Sequence, residues 1–161
     1  MANNNFDKIY QEHSRRIFLY IFSLCHDIHV AEDLTQETFV KAIVSLPKDC
    51  VSVLPWLYKV ASNLTYDYFR AKKRYTDIEG QKDLIDFSFT DRLIASEEYQ
   101  LLYRCIQKLE ENEREVITLH YFSGFKQYEI AAITGISYSA VRVIASRARE
   151  KLKRLIEEEQ E

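Results

Sequence analysis

The chain has 161 residues, a formal net charge of −3, and a composition that is 47% hydrophobic, 13% aromatic and 29% charged. This apolar content is enough for a buried core and excludes a disordered protein. Because the sequence contains only 3 glycines and 2 prolines, it lacks the turn residues of an all-β fold and the glycines of a nucleotide-binding loop. We therefore expect an all-α protein with few, short connections.

The sequence also indicates where the protein works. Its longest uncharged apolar run, residues 17–26, is shorter than the roughly 20 residues that cross a bilayer, and the N-terminal residues carry no signal-peptide pattern. Cys25, Cys50 and Cys105 are far apart and form no CxxC pair. We therefore expect reduced, mostly buried thiols in a cytoplasmic protein.

Three helices are predicted in the first half of the chain. Apolar residues recur at three- and four-residue steps over Phe6–Leu24, which is typical of an amphipathic helix. A break near residues 27–29 precedes a second helix over Val30–Leu46. The two prolines predict a loop over Pro47–Pro55, since proline resists helix continuation, and a third helix follows over Trp56–Arg74. Three such helices form a small bundle.

The small net charge conceals an alternating pattern. Residues 58–74 carry a net +4, residues 75–98 a net −5, and residues 137–155 a net +5. Two basic helical segments separated by an acidic stretch indicate two polyanion-binding surfaces. We interpret residues 75–95 as a flexible acidic linker between two domains, with four apolar residues that can dock: Leu84, Ile85, Phe87 and Phe89.

Two further helices are predicted after the linker. Ser96 is the expected N-cap of the first, which is predicted to bury Tyr99, Leu102, Ile106 and Leu109. Asn112 and Glu115 have the spacing of a capping box and predict the start of the next helix, which Ser123 and Gly124 end.

Residues 127–144 have the spacing of a helix-turn-helix. Ala131 allows close helix approach, Gly135 suits the positive φ of the turn, and Val141 fills the space between the two helices. Ser137 is placed to cap the second helix. An ordinary helical hairpin is the alternative, because alanine and glycine occur at such spacings by chance. The basic run that follows favours DNA binding, since a helix that only packs needs no one-sided basic face.

The second helix of this motif has two predicted faces. Its buried stripe consists of Val141, Ala145, Ala148 and Leu152. Its outward face, Arg142, Val143, Ser146 and Arg147, could meet base edges in a major groove. Arg149 and Lys153 suit phosphates, which add affinity but little sequence information. A solvated charged face is the alternative.

The first half contains two further patterns with a functional interpretation. One helical edge carries Glu32, Asp33, Gln36 and Glu37, with Leu34 and Thr38 turned inward. This edge is either solvated or a docking site for a basic partner. The third helix interleaves aromatic residues with basic and polar ones: Trp56, Tyr58, Lys59, Asn63, Tyr66, Arg70, Lys72 and Lys73. Such an arrangement suits unstacked bases, but taken alone the aromatic residues are more often part of a core.

Together these segments resemble the extracytoplasmic-function (group IV) bacterial sigma factors. The resemblance rests on AEDLTQETFVKA, PWLYKVASNLTYDYFR and LEENEREVITLHYFSGFKQYEIAAITGISYSAVRVIASRAREKL, in that order, and covers about Phe6–Ile156. It implies two small helical domains: a region-2 three-helix bundle at residues 1–74 and a region-4 helix-turn-helix at residues 96–161, joined by the linker at 75–95. It further implies an alternative sigma factor that directs core RNA polymerase to the promoters of a stress or envelope regulon.

The resemblance also assigns roles by position. The residues that it places against the coiled-coil clamp of the polymerase β′ subunit are Glu32, Asp33, Gln36 and Glu37. Those that it places at the melted −10 element, where the Pro47–Leu54 loop captures a flipped base, are Lys48, Val51, Ser52, Trp56, Lys59, Asn63 and Arg70. Those that it places at the −35 duplex are Tyr138, Ser139, Arg142, Val143, Ser146, Arg147 and Arg149.

One segment departs from the family pattern. Arg142-Val143-Ile144 stands where the family usually has a Lys/Arg-Ser-Arg run, and Ala145 replaces a larger apolar residue. We expect Ile144 to fill the space that Ala145 vacates. Because two polar DNA contacts are lost, we expect an atypical −35 preference.

The implied partners are core RNA polymerase, through its β′ clamp and β subunit, promoter DNA as duplex and as melted strand, and an anti-sigma factor, often membrane-anchored in this family. No cofactor, metal or small-molecule substrate is expected. Cys25, His26 and His29 lack a second pair of zinc ligands. No catalytic motif is present, so the chain is interpreted as a non-enzyme. The runner-up is a dimeric helix-turn-helix regulator with an N-terminal helical sensor domain.

Overall fold

The computed structural model describes residues 2–76 and 88–160, with side chains described for residues 5–74 and 91–160. All regular structure in these ranges is helical, and the chain divides into two compact units, Met1–Leu84 and Ile85–Glu161. None of the described helices is long and apolar enough to span a membrane. The prediction of an all-α fold with two helical regions is confirmed.

The described part of the first unit, residues 2–76, contains three helices. They are α1 (Ala2–Cys25), α2 (Ile28–Ser45) and α3 (Val53–Thr76). The break between α1 and α2 falls at His26 and Asp27, so that α2 begins two residues earlier than predicted. The cause is Asp27, whose carboxylate caps α2 by accepting from the backbone N–H groups of His29 at 3.0 Å and Val30 at 3.1 Å.

The predicted loop over Pro47–Pro55 is too long at its C-terminal end. Helix α3 begins at Val53 and includes Pro55 in its first turn. A proline is tolerated there because the first four N–H groups of a helix have no partner within the helix. Trp56 therefore lies inside α3 rather than at its start.

The core of the first unit lies between the three helices. Ile17 and Ile21 of α1 and Leu57 of α3 are fully buried. Tyr20 and Tyr58 pack together, with ring centroids 4.9 Å apart, and Tyr58 is only 2% exposed. Of the two interpretations of Tyr58, the core one is confirmed and base stacking is excluded, because its ring is covered by α1.

Within residues 88–160, the second unit contains five α-helices and one π-helical segment. They are α4 (Ser88–Leu93), α5 (Glu97–Gln107), α6 (Glu111–Ile117), the π-helical segment Thr118–Phe122, α7 (Gln127–Thr134) and α8 (Tyr138–Gln160). Cys105, Ile106 and Leu109 pack with Ala148 and Leu152 of α8 in one buried cluster.

The structure corrects two predictions about α5 and α6. Tyr99 is 59% exposed rather than buried, because the apolar contact with α8 is made by the later turns of α5. The capping pair of α6 is not Asn112 with Glu115: the Glu113 carboxylate accepts from the backbone N–H of Glu110 at 3.3 Å. Ser96 stands at the predicted N-cap position of α5, but its side chain makes no capping hydrogen bond. The helix predicted to end at Ser123 ends as an α-helix at Ile117 and continues as the π-helical segment up to Phe122.

The predicted linker falls partly outside the described residues. Residues 77–87 of the linker lie outside them, and so does the expected docking of the side chains of Leu84, Ile85, Phe87 and Phe89. The following residues are attached to α5, since the Gln100 side chain donates to the carbonyls of Asp91 at 3.1 Å and Ile94 at 2.7 Å. Asp91 also forms an ion pair with Arg104.

The cysteines are less buried than expected. Cys105 is buried, whereas Cys25 and Cys50 are half-buried. Desolvation by burial raises the pKa of the Cys25 and Cys105 thiols above the ordinary value, which disfavours the reactive thiolate at these positions.

Candidate polymerase and nucleic-acid interfaces

The turn between α7 and α8 has the geometry that the sequence predicted. The N–H of Gly135 donates to the carbonyl of Ala131 at 3.0 Å, and the φ of Gly135 is +77°. A Cβ at this position would meet nothing within 4 Å. Glycine is therefore needed here for its backbone conformation and not for lack of space.

A side-chain cap directly after this turn fixes the residue at which α8 begins. The Ser137 hydroxyl accepts from the N–H of Ala140 at 3.2 Å, which confirms the predicted cap. Val141 is fully buried, as is Ile130 of α7, and Ile133 is 2% exposed. This apolar contact fixes the two helices of the motif against each other.

Helix α8 separates its buried and exposed residues onto opposite sides. The predicted stripe of Val141, Ala145, Ala148 and Leu152 is buried. All seven residues that the resemblance places at the −35 duplex are exposed: Tyr138, Ser139, Arg142, Val143, Ser146, Arg147 and Arg149. Ile144 is half-buried beside the stripe and so lies outside the exposed face.

Helix α3 carries a second polar surface. At about 3.6 residues per turn, Trp56, Lys59, Asn63 and Arg70 fall on one side of the helix. Lys59, Asn63 and Arg70 are exposed, and Trp56 is half-buried. Arg70 forms an ion pair with Asp67, and both side chains are more than half exposed, so the pair is weak and easily exchanged for a phosphate.

The loop before α3 completes this surface. It contains a turn in which the N–H of Cys50 donates to the carbonyl of Pro47 at 3.1 Å, and the Cys50 thiol donates to the carbonyl of Ser52 at 3.2 Å. Lys48, Val51 and Ser52 are exposed. The Val51 side chain is fully exposed, so it is available to a ligand.

Helix α2 presents the acidic edge to solvent. Glu32, Asp33, Gln36 and Glu37 are all exposed, while Leu34 and Thr38 are buried as predicted. The Thr38 hydroxyl donates to the carbonyl of Leu34 at 2.8 Å, which satisfies the buried polar group. The described carboxylates of this edge therefore stand clear of the core.

Sequence reasoning missed the apolar continuation of the same face. Val40, Ile43 and Val44 are 56%, 63% and 79% exposed. The helical spacing places Val40 and Val44 in line with Asp33 and Glu37, and Ile43 in line with Gln36. We call the exposed surface of these three residues and the polar edge the α2 face: Glu32, Asp33, Gln36, Glu37, Val40, Ile43 and Val44. The signal was present in the sequence as a helix whose apolar residues occupy more than one side.

Comparison with known proteins gives the family of both units. The family model of sigma-70 region 2 matches residues 9–75, and that of sigma-70 region 4 matches residues 99–152. The chain is 34% identical to the ECF RNA polymerase sigma factor SigM of Bacillus subtilis, over 92% of this chain and 93% of SigM. It is 32% identical to SigW of the same organism, over 83% of this chain and 81% of SigW.

Solved structures share the fold. The sigma factor RpoE from Bartonella quintana, crystallised with the anti-sigma factor NepR, has a TM-score of 0.83 at 24% identity, over 95% of this chain and 97% of RpoE. CnrH, in complex with the cytosolic domain of CnrY, has a TM-score of 0.71 at 25% identity, over 96% of this chain and 89% of CnrH.

Proposed function

The chain belongs to the extracytoplasmic-function sigma factors of the sigma-70 family, which direct RNA polymerase to specific promoters, and on that premise we propose how its surfaces divide this task. The α2 face binds core polymerase. The α3 surface and the preceding loop capture the melted −10 element. The exposed side of α8 reads the −35 element as duplex. The polymerase performs the chemistry, so this chain acts by binding and strand separation.

The charge and apolarity of the α2 face support the first assignment. Carboxylates at Glu32, Asp33 and Glu37 suit a basic partner helix, and the exposed Val40 and Val44 beside them offer apolar area. A face that is acidic at one end and apolar at the other fits a partner that contributes both charge and buried surface. The β′ clamp is that partner in our proposal.

The −10 assignment is supported by the mixture of groups on one side of the first unit. Lys59 and Arg70 supply positive charge for the backbone of a single strand. Asn63 supplies an amide that can hydrogen-bond a base edge, and the half-buried Trp56 supplies part of a ring. Trp56 and Lys59 lie in the first two turns of α3, next to the loop that contains Val51, where an unstacked base could be held.

Helix α8 has its apolar stripe on one side and its arginines on the other. This observation supports the −35 assignment and carries the proposal as a whole. Arg142 and Arg147 are exposed on a helix whose start is fixed by Ser137 and Gly135. A rigid helix with exposed arginines can enter a major groove and donate to guanine.

The remaining partners follow from the related proteins. RpoE and CnrH were each solved with a second protein, which is an anti-sigma factor in the case of RpoE. We infer that this chain also pairs with an anti-sigma factor, membrane-anchored or free, and that it works in the cytoplasm, where the polymerase and promoters are found.

Transcription in vitro tests the proposal. Purified core polymerase, the full chain and genomic template should give discrete start sites that core polymerase alone does not give. The double variant Asp33→Lys/Glu37→Lys, which changes only exposed residues, should abolish these starts while its circular dichroism stays unchanged. Starts that do not depend on the chain would contradict the proposal. Tight binding of the free chain to a promoter without core polymerase would favour the dimeric regulator.

A further inference from the structure

The first turn of α8 contains an aromatic–arginine pair. The guanidinium carbon of Arg142 lies 5.8 Å from the centre of the Tyr138 ring, within the distance at which a cation is attracted to an aromatic face. The two residues are four apart on one helix, and helical side chains lean toward the N-terminus. Arg142 therefore extends back over Tyr138.

Among the described residues, the Tyr138 ring is the group that contacts the Arg142 guanidinium. No carboxylate in the described part of the chain pairs with its guanidinium. Arg147, on the same exposed side of α8, has no aromatic ring placed against it among the described contacts. Arg142 and Arg147 thus differ, since Arg142 is held by a neighbouring ring and Arg147 extends into solvent.

The backbone that carries the Tyr138 ring is well fixed. Tyr138 is the first residue of α8, directly after the Ser137 cap and close to Val141, which is fully buried. Tyr138 is 49% exposed, so its ring can lie against a guanidinium without being needed for the core. A fixed ring beside a long, rotamer-rich side chain reduces the number of conformations that the side chain must give up on binding.

We propose that Tyr138 is a positioning residue for −35 recognition: its ring orients Arg142 toward a base edge, so that Tyr138 sets specificity through Arg142. This inference rests on the proposed role of α8 and goes beyond it, because it assigns base preference at one position to an aromatic residue that touches no base. Without the ring, Arg142 is free to bind a neighbouring phosphate instead.

The test measures base preference with holoenzyme made from core polymerase and the full chain. The probes are the duplex of a promoter mapped by transcription and its −35 variants, each with one base pair replaced. Tyr138→Leu should lower the preference at one base pair by about two- to fivefold, the range expected for an exposed cation–π pair. Tyr138→Phe keeps the ring and should retain most of the preference.

Double variants separate positioning from a direct contact. Tyr138→Leu combined with Arg142→Ala should equal Arg142→Ala alone, whereas Tyr138→Leu combined with Arg147→Ala should show the product of the two single effects. Tyr99→Leu removes another exposed tyrosine of the same unit and should leave base preference unchanged.

Three results would overturn the inference. They are an equal loss of affinity for every duplex in Tyr138→Leu, multiplicative effects in the Tyr138/Arg142 pair, and an Arg142→Ala variant that keeps every base preference. If wild-type holoenzyme itself shows no promoter preference, the proposed function has failed as well. If it shows a preference that Tyr138→Leu leaves intact, only the inference has failed.

Discussion

Single residues fix where helices begin and where the chain turns between them. Asp27 caps α2 through its carboxylate, Ser137 caps α8 through its hydroxyl, and Gly135 turns the chain between α7 and α8. His26 adopts a φ of 55° at the end of α1, a conformation that costs a residue with a Cβ more than it costs glycine. Each of these effects depends on one side chain or one φ angle.

Gly135 should therefore be sensitive to substitution in a particular way. Gly135→Ala fits the available space but is strained at a φ of +77°, and we expect a loss of about 1–2 kcal/mol in unfolding free energy. Asparagine tolerates this region better than alanine, so Gly135→Asn should lose less. Thermal denaturation of the three proteins checks the order, and an alanine variant as stable as the wild type would contradict it.

Asp67 should restrain Arg70 in the free protein. Asp67→Asn removes the ion pair and one negative charge from the α3 surface, so we expect tighter binding of holoenzyme to a pre-melted −10 bubble. The gain should be no more than about fivefold, since exposed pairs are worth roughly 0–1 kcal/mol, and it should shrink at high salt. Asp7→Asn makes the same charge change at an exposed residue of α1, and an equal gain there would contradict the prediction.

At the scale of the element, α2 and α8 show how one helix serves the core and a partner at once. Each buries one side, Leu34, Thr38 and Ala42 in α2 and the Val141 stripe in α8, and leaves the other side uncovered by the described residues. In α8 the exposed side is basic and suits a polyanion. In α2 it changes from acidic to apolar along the helix, which suits a protein.

The two halves of the α2 face should respond differently to salt. Asp33→Lys and Glu37→Lys should weaken core-polymerase binding most at low ionic strength, because charge interactions are screened by salt. Val40→Ser and Val44→Ser should weaken it at every ionic strength, by roughly tenfold each if the side chain becomes fully buried. Affinity measured by fluorescence titration without DNA checks both.

Val51→Ser is the matched control for this experiment. It removes an exposed valine from the loop before α3 rather than from α2, so core binding should be unchanged. If Val40→Ser and Val44→Ser also bind like the wild type, the apolar half of the α2 face does not contact the polymerase.

At the scale of the whole molecule, the two proposed nucleic-acid surfaces belong to separate compact units. Duplex DNA and melted DNA present different chemistry: base edges in a groove in one case, and exposed ring faces in the other. An arginine-bearing helix suits the first, and a loop beside aromatic and amide groups suits the second. Separate units allow each surface to keep its own geometry.

This division predicts different rescue behaviour for the two units. Arg142→Ala should weaken duplex recognition, by about 1–3 kcal/mol if it removes a bidentate contact with guanine. Asn63→Ala should impair strand opening, and a pre-melted −10 bubble should restore much of its activity because the unstacking cost is already met. Transcription from both templates, with permanganate footprinting of the bubble, checks this.

The controls for this prediction lie within the same helices. Lys153→Ala changes an expected phosphate contact of α8 and should weaken binding to all sequences alike. If the pre-melted bubble rescues Arg142→Ala as fully as Asn63→Ala, the division between duplex reading and strand capture is wrong.

Much of the architecture follows from local sequence. The three- and four-residue spacing of apolar residues specifies the helices of both units, because helix periodicity is a property of consecutive residues. The helix-turn-helix is equally local: Gly135 supplies the positive φ and Ser137 the cap, and the buried stripe of α8 is opposite its arginines. Which residues of α8 are exposed could therefore be predicted one by one.

Tertiary structure decided which side chains a neighbouring element covers. Tyr58 and Tyr99 look alike in the sequence, yet Tyr58 is packed under α1 and Tyr99 is exposed. Val40, Ile43 and Val44 look like core residues and are exposed, because the core contacts of α2 are made on its other side. Periodicity gives the direction of a side chain along its helix, but burial depends on whether a second helix packs there, which is a long-range contact that no local pattern contains.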